Sequence, residues 1–345
     1  MLRKRILFTE INRAELVEEE VRPLGPRDVR VRTCFSTVSP GTERANIIGD
    51  PSVNCGNAPC VQFPRGLGYS SSGIVEAVGG EVESVKPGDR VIPFWSVHAD
   101  INVVPESQVV PILDESIGFR AAAAMFIGTF PIAALRKTRL EMGESCLVMG
   151  LGILGQYAVR LARLAGAVPV IAVDPVASRR QDALLGGADV ALDPFEEGFA
   201  ERVKEMTNGG VKAAVEVTGQ GAGLDETLDC MARFGRVALL GCTRSKEFTI
   251  DYYRKVHSPG ITLIGAHTNA RPDVESYPGY FTHADDLNAM MKLYQGKRLD
   301  IDSMLGPLHK PEECAEVYQT LIHDRNFPML VQFDWTGMND QNGRV

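Results

Sequence analysis

Residues 148–155, Val-Met-Gly-Leu-Gly-Ile-Leu-Gly, constrain the fold more than any other stretch of this chain. Before them Ser145-Cys146-Leu147-Val148 reads as a buried strand, and after them residues 156–165 carry apolar side chains at helical spacing. Gly150, Gly152 and Gly155 fit a turn that ends a strand and closes the backbone tightly on a diphosphate. A helix then begins there, with free N–H groups at Ile153, Leu154 and Gly155 aimed at the anion. The chain returns through Val-Pro-Val-Ile-Ala-Val at 168–173, a second strand, to Asp174. An acid about twenty residues past the glycines is where the hydroxyl pair of a ribose needs a carboxylate. Glycine-rich turns are common, and an ordinary βαβ turn without a ligand is the bland alternative. Strand, turn, helix, strand and acid in this order favour a dinucleotide site.

Bulk properties fit an enzyme with a small-molecule substrate. At 345 residues the chain is long for one hydrophobic core, so two domains are expected. A net charge of −8 argues against nucleic acid, which needs a basic footprint. No run of about eighteen apolar residues is evident, and Met1-Leu2-Arg3-Lys4-Arg5-Ile6 leads into a strand rather than a signal segment. The reading is cytoplasmic, with no membrane association. Seven cysteines at 34, 55, 60, 146, 230, 242 and 314 form no disulfide framework. Only Cys55 and Cys60 stand close, and neither a second pair nor a neighbouring histidine completes a zinc site.

The first 120 residues are β-rich. Valines alternate through 28–33 and 72–78, and Pro40-Gly41, Gly79-Gly80, Pro87-Gly88-Asp89 and Pro105-Glu106 mark turns, so a compact barrel-like domain is expected. From Ala121 a helical stretch runs to Arg136 with a break expected near Gly128. Strands are expected at 145–149, 168–173, 189–192, 212–217, 236–241 and 261–265, mostly with helices between them, making a doubly wound parallel sheet. Helices at 285–295 and 311–323 and a strand at 329–333 lie outside that repeat and are expected to return to the first domain. The division is therefore 1–120 plus 285–345, and 121–284.

Nearly the whole chain resembles one family. The β domain, Gly88-Asp89-Arg90-Val91, Val104-Pro105, the glycine turn, Glu216-Val217-Thr218-Gly219, residues 235–241 and Ile264-Gly265 follow one another as in the medium-chain dehydrogenase/reductase superfamily. Within it the chain is most similar to the zinc-type alcohol, polyol and threonine dehydrogenases, including the bacteriochlorophyllide dehydrogenase-like members. The resemblance implies a GroES-like catalytic domain plus a Rossmann domain, and subunit pairing through strand 261–265 into a homodimer or homotetramer. That strand is apolar, and an unpaired edge is an association surface.

The departures bear on mechanism. Where zinc members carry a Gly-Ile-Cys segment, this chain has Thr37-Val38-Ser39-Pro40-Gly41-Thr42-Glu43, with Ser39 at the thiolate position. In the Gly-His-Glu segment Tyr69 replaces the His and Ser70 the Glu, and Phe126 aligns with a further ligand. The four-cysteine lobe of structural zinc is missing between Pro93 and Pro105. Hydroxyls and a phenyl ring are poor zinc ligands, so no metal is expected.

Alcohol oxidation by NAD needs hydride removal from carbon and proton removal from oxygen. Without zinc the candidate groups are Ser39, Glu43, Tyr69 and His98. Ser39 and Tyr69 inherit the metal position. His98 lies on a loop that in the superfamily borders the cleft, and imidazole suits proton exchange. Each has a structural alternative: Tyr69 as a plug, Glu43 in an ion pair, His98 as a hydrogen-bonded side chain. Asp174 favours NAD over NADP, because a carboxylate repels a 2′-phosphate. Arg179 and Arg180 would favour NADP only with Asp174 turned away. Thr129, Thr218, Gly241, Cys242, Ala266 and His267 are further expected cofactor contacts, most of them at strand ends facing the nicotinamide half. The leading reading is a zinc-independent, NAD-dependent oxidoreductase that interconverts a secondary alcohol, polyol or sugar-like, and its ketone. The rivals are a quinone or enoyl reductase and a catalytically silent dinucleotide-binding protein.

Overall fold

The computed structural model describes residues 1–54, 61–243, 247–324 and 326–339, so Cys55 and Cys60 lie outside the described residues. The chain divides into two compact units, Met1–Ile127 with Leu287–Val345, and Gly128–Asp286.

The first unit opens with a hairpin of β1 (Leu2–Glu10) and β2 (Arg13–Glu20). Next come β3 (Asp28–Thr37), α1 (Pro40–Ile47), β4 (Ser71–Val78), β5 (Arg90–Pro93), β6 (Ile101–Pro105) and β7 (Val109–Pro111). The alternation in β3 sends Val29 and Val31 inward, where they pack with Val75, Val91 and Val104.

The helix α2 (Phe119–Thr138) runs without interruption through Gly128 and Pro131, where a break was expected. Ala121 to Ile127 are almost wholly buried, and packing at that density outweighs the propensity cost of a glycine and a proline. By length and hydropathy α2 would reach across a bilayer, contrary to the expectation that no such run exists, but most of it is buried inside the protein.

The second unit alternates β8 (Cys146–Met149), α3 (Ile153–Leu164), β9 (Val170–Val173), α4 (Ala177–Leu185), β10 (Val190–Leu192), α5 (Phe199–Met206), β11 (Val211–Glu216), α6 (Gly221–Asp229), β12 (Met231–Leu239) and β13 (Thr262–Gly265). All six strands are parallel, in the order β10-β9-β8-β11-β12-β13. The order reverses between β8 and β11, so the crevice that binds ligands in such sheets lies beyond the carboxyl ends of these two strands. Their near-continuous apolar runs, Leu147, Ile171, Val173, Ala214 and Val237 among them, are buried on both faces, as a helix-covered parallel sheet requires.

The tail supplies α7 (His283–Gln295), β14 (Leu308–His309), α8 (Cys314–His323), β15 (Gln332–Asp334) and α9 (Thr336–Asn339). Strands β14 and β15 complete the first unit's sheet in the order β14-β15-β3-β4-β5-β7, with β6 also on β3. Tyr318, Phe333 and Trp335 from this tail pack with Ile6, Phe8, Val38 and Ile47, directly beneath the loop that carries Ser39.

Candidate active site

The glycine turn has the geometry a diphosphate needs. Gly150 follows β8 in the left-handed region at φ +95°, and its N–H donates to the Val173 carbonyl at 2.7 Å. A Cβ on Gly155 would lie 1.9 Å from the Gly150 carbonyl oxygen, so only glycine lets α3 approach the turn. A Cβ on Gly152 would meet nothing within 4 Å, leaving open space beside the residue that caps α3. There the first-turn N–H groups, including those of Ile153 and Leu154, have no partner within the helix. These residues fit a bound dinucleotide.

Asp174, at the end of β9, is almost wholly buried. Its Oδ2 accepts the Leu151 N–H and its Oδ1 the Val176 N–H, each at 2.8 Å. One Arg179 guanidinium nitrogen stands 3.6 Å from Oδ2. Arg180 is committed elsewhere, donating to the Asp174 carbonyl at 2.8 Å and to Asp193 at 3.1 Å.

The other expected cofactor residues divide. Thr218, Gly241 and Cys242 stand at the ends of β11 and β12, with Cys242 exposed. Ala266 follows β13 and is buried, while the exposed His267 accepts the Asn269 N–H at its Nδ1, 3.2 Å away. Thr129 is fully buried within α2, its hydroxyl 3.4 Å from His283 Nδ1 and its carbonyl accepting an N–H of Arg271 at 2.8 Å.

In the first unit, Ser39 stands two residues beyond β3 at the N-cap position of α1, with Pro40 opening that helix. Tyr69 is half-buried, and its hydroxyl donates to Ser39 Oγ at 2.6 Å. Behind this pair lies a buried network. Glu43 Oε1 accepts the Ser39 N–H at 2.8 Å, and Oε2 accepts the Tyr318 hydroxyl at 2.5 Å. His98 Nε2 stands 3.2 Å from Oε2, and its Nδ1 lies 2.7 Å from Ser36 Oγ, which also accepts Trp335 Nε1–H at 2.8 Å. The carboxylate requires a donor, so the proton belongs on Nε2 and the Ser36 hydroxyl donates to Nδ1. Contact with the Glu43 carboxylate pushes the Tyr318 hydroxyl pKa further up, adding to the larger effect of burial. Glu43 is 0% and His98 1% exposed, so His98 does not border open space as expected.

Around Tyr69, where the family resemblance aligns a zinc ligand, aromatic rings pack together. Phe126 is fully buried, 5.0 Å from Phe94, 5.1 Å from Trp95 and 5.9 Å from Tyr69 between centroids. Ser70 donates to the Ala123 carbonyl at 2.6 Å instead of facing a metal. Phenyl, indole and hydrogen-bonded hydroxyl groups do not suit zinc. Among the described residues no three His, Cys, Asp or Glu side chains stand together as a metal set.

Sequence reasoning missed Ser36, Tyr318 and Trp335, whose roles arise only when the tail returns. It also passed over Trp95, whose left-handed φ of 56° is costly for a bulky residue and has no local signature.

Residues 25–169 match the family described as alcohol dehydrogenase GroES-like domain, and residues 154–284 match zinc-binding dehydrogenase. The chain is 25% identical over 338 residues to D-guloside 3-dehydrogenase of Escherichia coli (strain K12), covering 92% of this chain and 96% of that protein. It is 34% identical over 203 residues to quinone oxidoreductase 1 of the same organism, covering 56% of this chain and 60% of that one. Benzyl alcohol dehydrogenase from Acinetobacter calcoaceticus shares the fold with a TM-score of 0.83 at 18% identity, covering 97% of this chain and 99% of that one. The chain belongs to the medium-chain dehydrogenase/reductase superfamily and is an NAD(P)-dependent oxidoreductase of that type.

Proposed function

We propose that this enzyme works without zinc, with NAD in preference to NADP, and interconverts a secondary alcohol of a polyol or sugar-like substrate and its ketone. The observation that carries this reading is the hydroxyl pair Tyr69–Ser39, hydrogen-bonded at 2.6 Å among aromatic rings where zinc members hold the metal, alongside an intact glycine cradle. The relative named as a guloside dehydrogenase supports the sugar-like substrate.

The cofactor, when bound, supplies the hydride acceptor or donor. The chain's own residues do the rest. Gly150, Gly152 and Gly155 hold the diphosphate, and Asp174 takes the ribose hydroxyls, for which each carboxylate oxygen keeps a lone pair. Tyr69 donates to Ser39, which leaves the Ser39 hydroxyl hydrogen to donate onward to the substrate oxygen, where charge develops, while the proton that this oxygen loses on oxidation or gains on reduction is exchanged with solvent water. Glu43 and His98 do not touch substrate. Glu43 fixes Ser39 through its N–H, and His98 and Tyr318 fix Glu43. The free cysteines, four of the five described ones buried, accord with a cytoplasmic enzyme. Strand β13, paired among the described residues with β12 alone and with Leu263 exposed, is the surface through which we place a homodimer or homotetramer.

The relative named as quinone oxidoreductase 1 keeps a quinone or enoyl reductase as the second reading. Nicotinamide absorbance followed across polyols, sugars, enones and quinones separates the two. NAD reduction with polyols or sugars is expected, and turnover of enones or quinones alone would establish the second reading. No turnover with any class, despite cofactor binding, would favour the silent protein.

A further inference from the structure

We infer that Glu216 is a positioning residue of the dinucleotide site, its buried carboxylate fixing the turn at Thr218 and Gly219 against the glycine cradle. This rests on the cofactor reading above and adds to it a residue that touches neither cofactor nor substrate.

Glu216 ends β11, the strand beside β8 at the point where the sheet order reverses. Its side chain is 3% exposed, and no cation pairs with it among the described residues. A carboxylate so placed is costly unless hydrogen bonds replace its water. All of its replacements come from the next three residues. Oε1 accepts the Thr218 N–H at 2.7 Å and the Thr218 hydroxyl, and Oε2 accepts the Gly219 N–H at 3.2 Å. Burial pushes its pKa up, and these bonds pull it back. The charge and the turn therefore stabilise one another. Without the carboxylate, two N–H groups converge on nothing.

The turn cannot shift alone, because it meshes with the ends of β8 and β12, two of the strand ends expected to meet the cofactor. Gly219 sits at φ +63°, and a Cβ there would lie 2.2 Å from the Cys242 carbonyl oxygen. A Cβ on Gly241 would lie 2.3 Å from the Gly219 nitrogen, and one on Gly150 3.0 Å from Thr218 Cγ2. The Glu216 carbonyl in turn accepts the Leu240 and Gly241 N–H groups at 2.9 Å. Displacing Thr218 or Gly219 by a fraction of an ångström disturbs first Gly241 with Cys242, where the approach is tightest and the nicotinamide half is expected to lie. Among the described residues, Asp174 and the start of α3, where the adenosine half is read, share no hydrogen bond with Glu216.

The test is calorimetry of NADH and of 5′-AMP with the native chain and with Glu216→Gln. The amide retains one acceptor oxygen but turns an NH2 toward the Gly219 N–H, or toward the Thr218 donors if flipped. NADH is expected to bind about tenfold more weakly to the variant, with 5′-AMP affinity unchanged. Unchanged affinity for both ligands, or parallel loss of both, would overturn the inference. If the native chain binds neither ligand, the cofactor reading itself fails. Should Glu216→Gln not fold, Thr218→Val keeps the side-chain shape and removes one donor to Glu216. It is expected to weaken NADH alone by about threefold, and an unaltered NADH to 5′-AMP ratio would then overturn the inference.

Discussion

The glycine cradle and the Ser39–Tyr69 cluster are built from opposite materials. The cradle works through missing side chains and backbone N–H groups, so its requirements are local and few: glycine at 150 and 155, space at 152 and an acid at 174. The cluster works through side chains gathered from β3, α1, the segment before β4, the loop before β6, and α8. A backbone device tolerates little change. A side-chain device can be rewritten, as we propose for Ser39, Tyr69 and Phe126 in place of metal ligands.

The difference can be broken first at Glu43. Glu43→Ala leaves the Ser39 N–H, the Tyr318 hydroxyl and His98 Nε2–H without their acceptor in a dry core. Chemical denaturation is expected to show a loss of about 3 kcal/mol or more. A loss below about 1 kcal/mol would mean that the network does not hold the Ser39 loop.

A smaller effect sharpens the comparison through a histidine of the second unit. His283 has its pKa lowered to about 3, chiefly by burial and then by the charge of Arg271. It stays neutral in the folded protein, whereas the unfolded chain takes up a proton below about 6.5. Its contribution is therefore complete above about pH 6.5 and falls as pH drops, by up to about 1.4 kcal/mol per unit. Melting of the native chain and of His283→Gln between these limits should show the variant with the shallower acid slope. Equal slopes would contradict the assignment.

The smallest effect concerns the cradle itself. Asp174→Gly should erode the preference for NADH over NADPH by about 1–2 kcal/mol, read by calorimetry. The fold should survive, because among the described residues the Asp174 side chain bonds two loop amides and faces Arg179, and the backbone bonds of Asp174 remain in the variant. Tighter NADPH binding by the native chain would show that Arg179 governs the site instead.

The two regions were also unequally legible. The six parallel strands and the return of the tail follow from apolar runs and turn residues that act within a few positions of one another, whereas the strand order has no local signature. The break expected at Gly128 was overridden by tertiary burial of α2, which no local pattern reports. Ser39 and Tyr69 were recognisable as a pair only by alignment to a family whose ligands they replace. The partnership of Glu43 with Tyr318, 275 positions apart, could not be read from either segment. His98 illustrates the same gap: its residue type suits proton transfer, but the fold surrounds it with Ser36, Glu43 and Phe333.

The central claim is that a hydroxyl pair performs the metal's part. It is tested most directly by turnover of chelator-dialysed native enzyme beside Tyr69→Phe, with NADH affinity measured for both. The account predicts that the native enzyme keeps its kcat after chelation. Tyr69→Phe should lose about a hundredfold in kcat with unchanged NADH affinity. Native activity that vanishes on chelation and returns with zinc, or a Tyr69→Phe enzyme with full kcat, would contradict it.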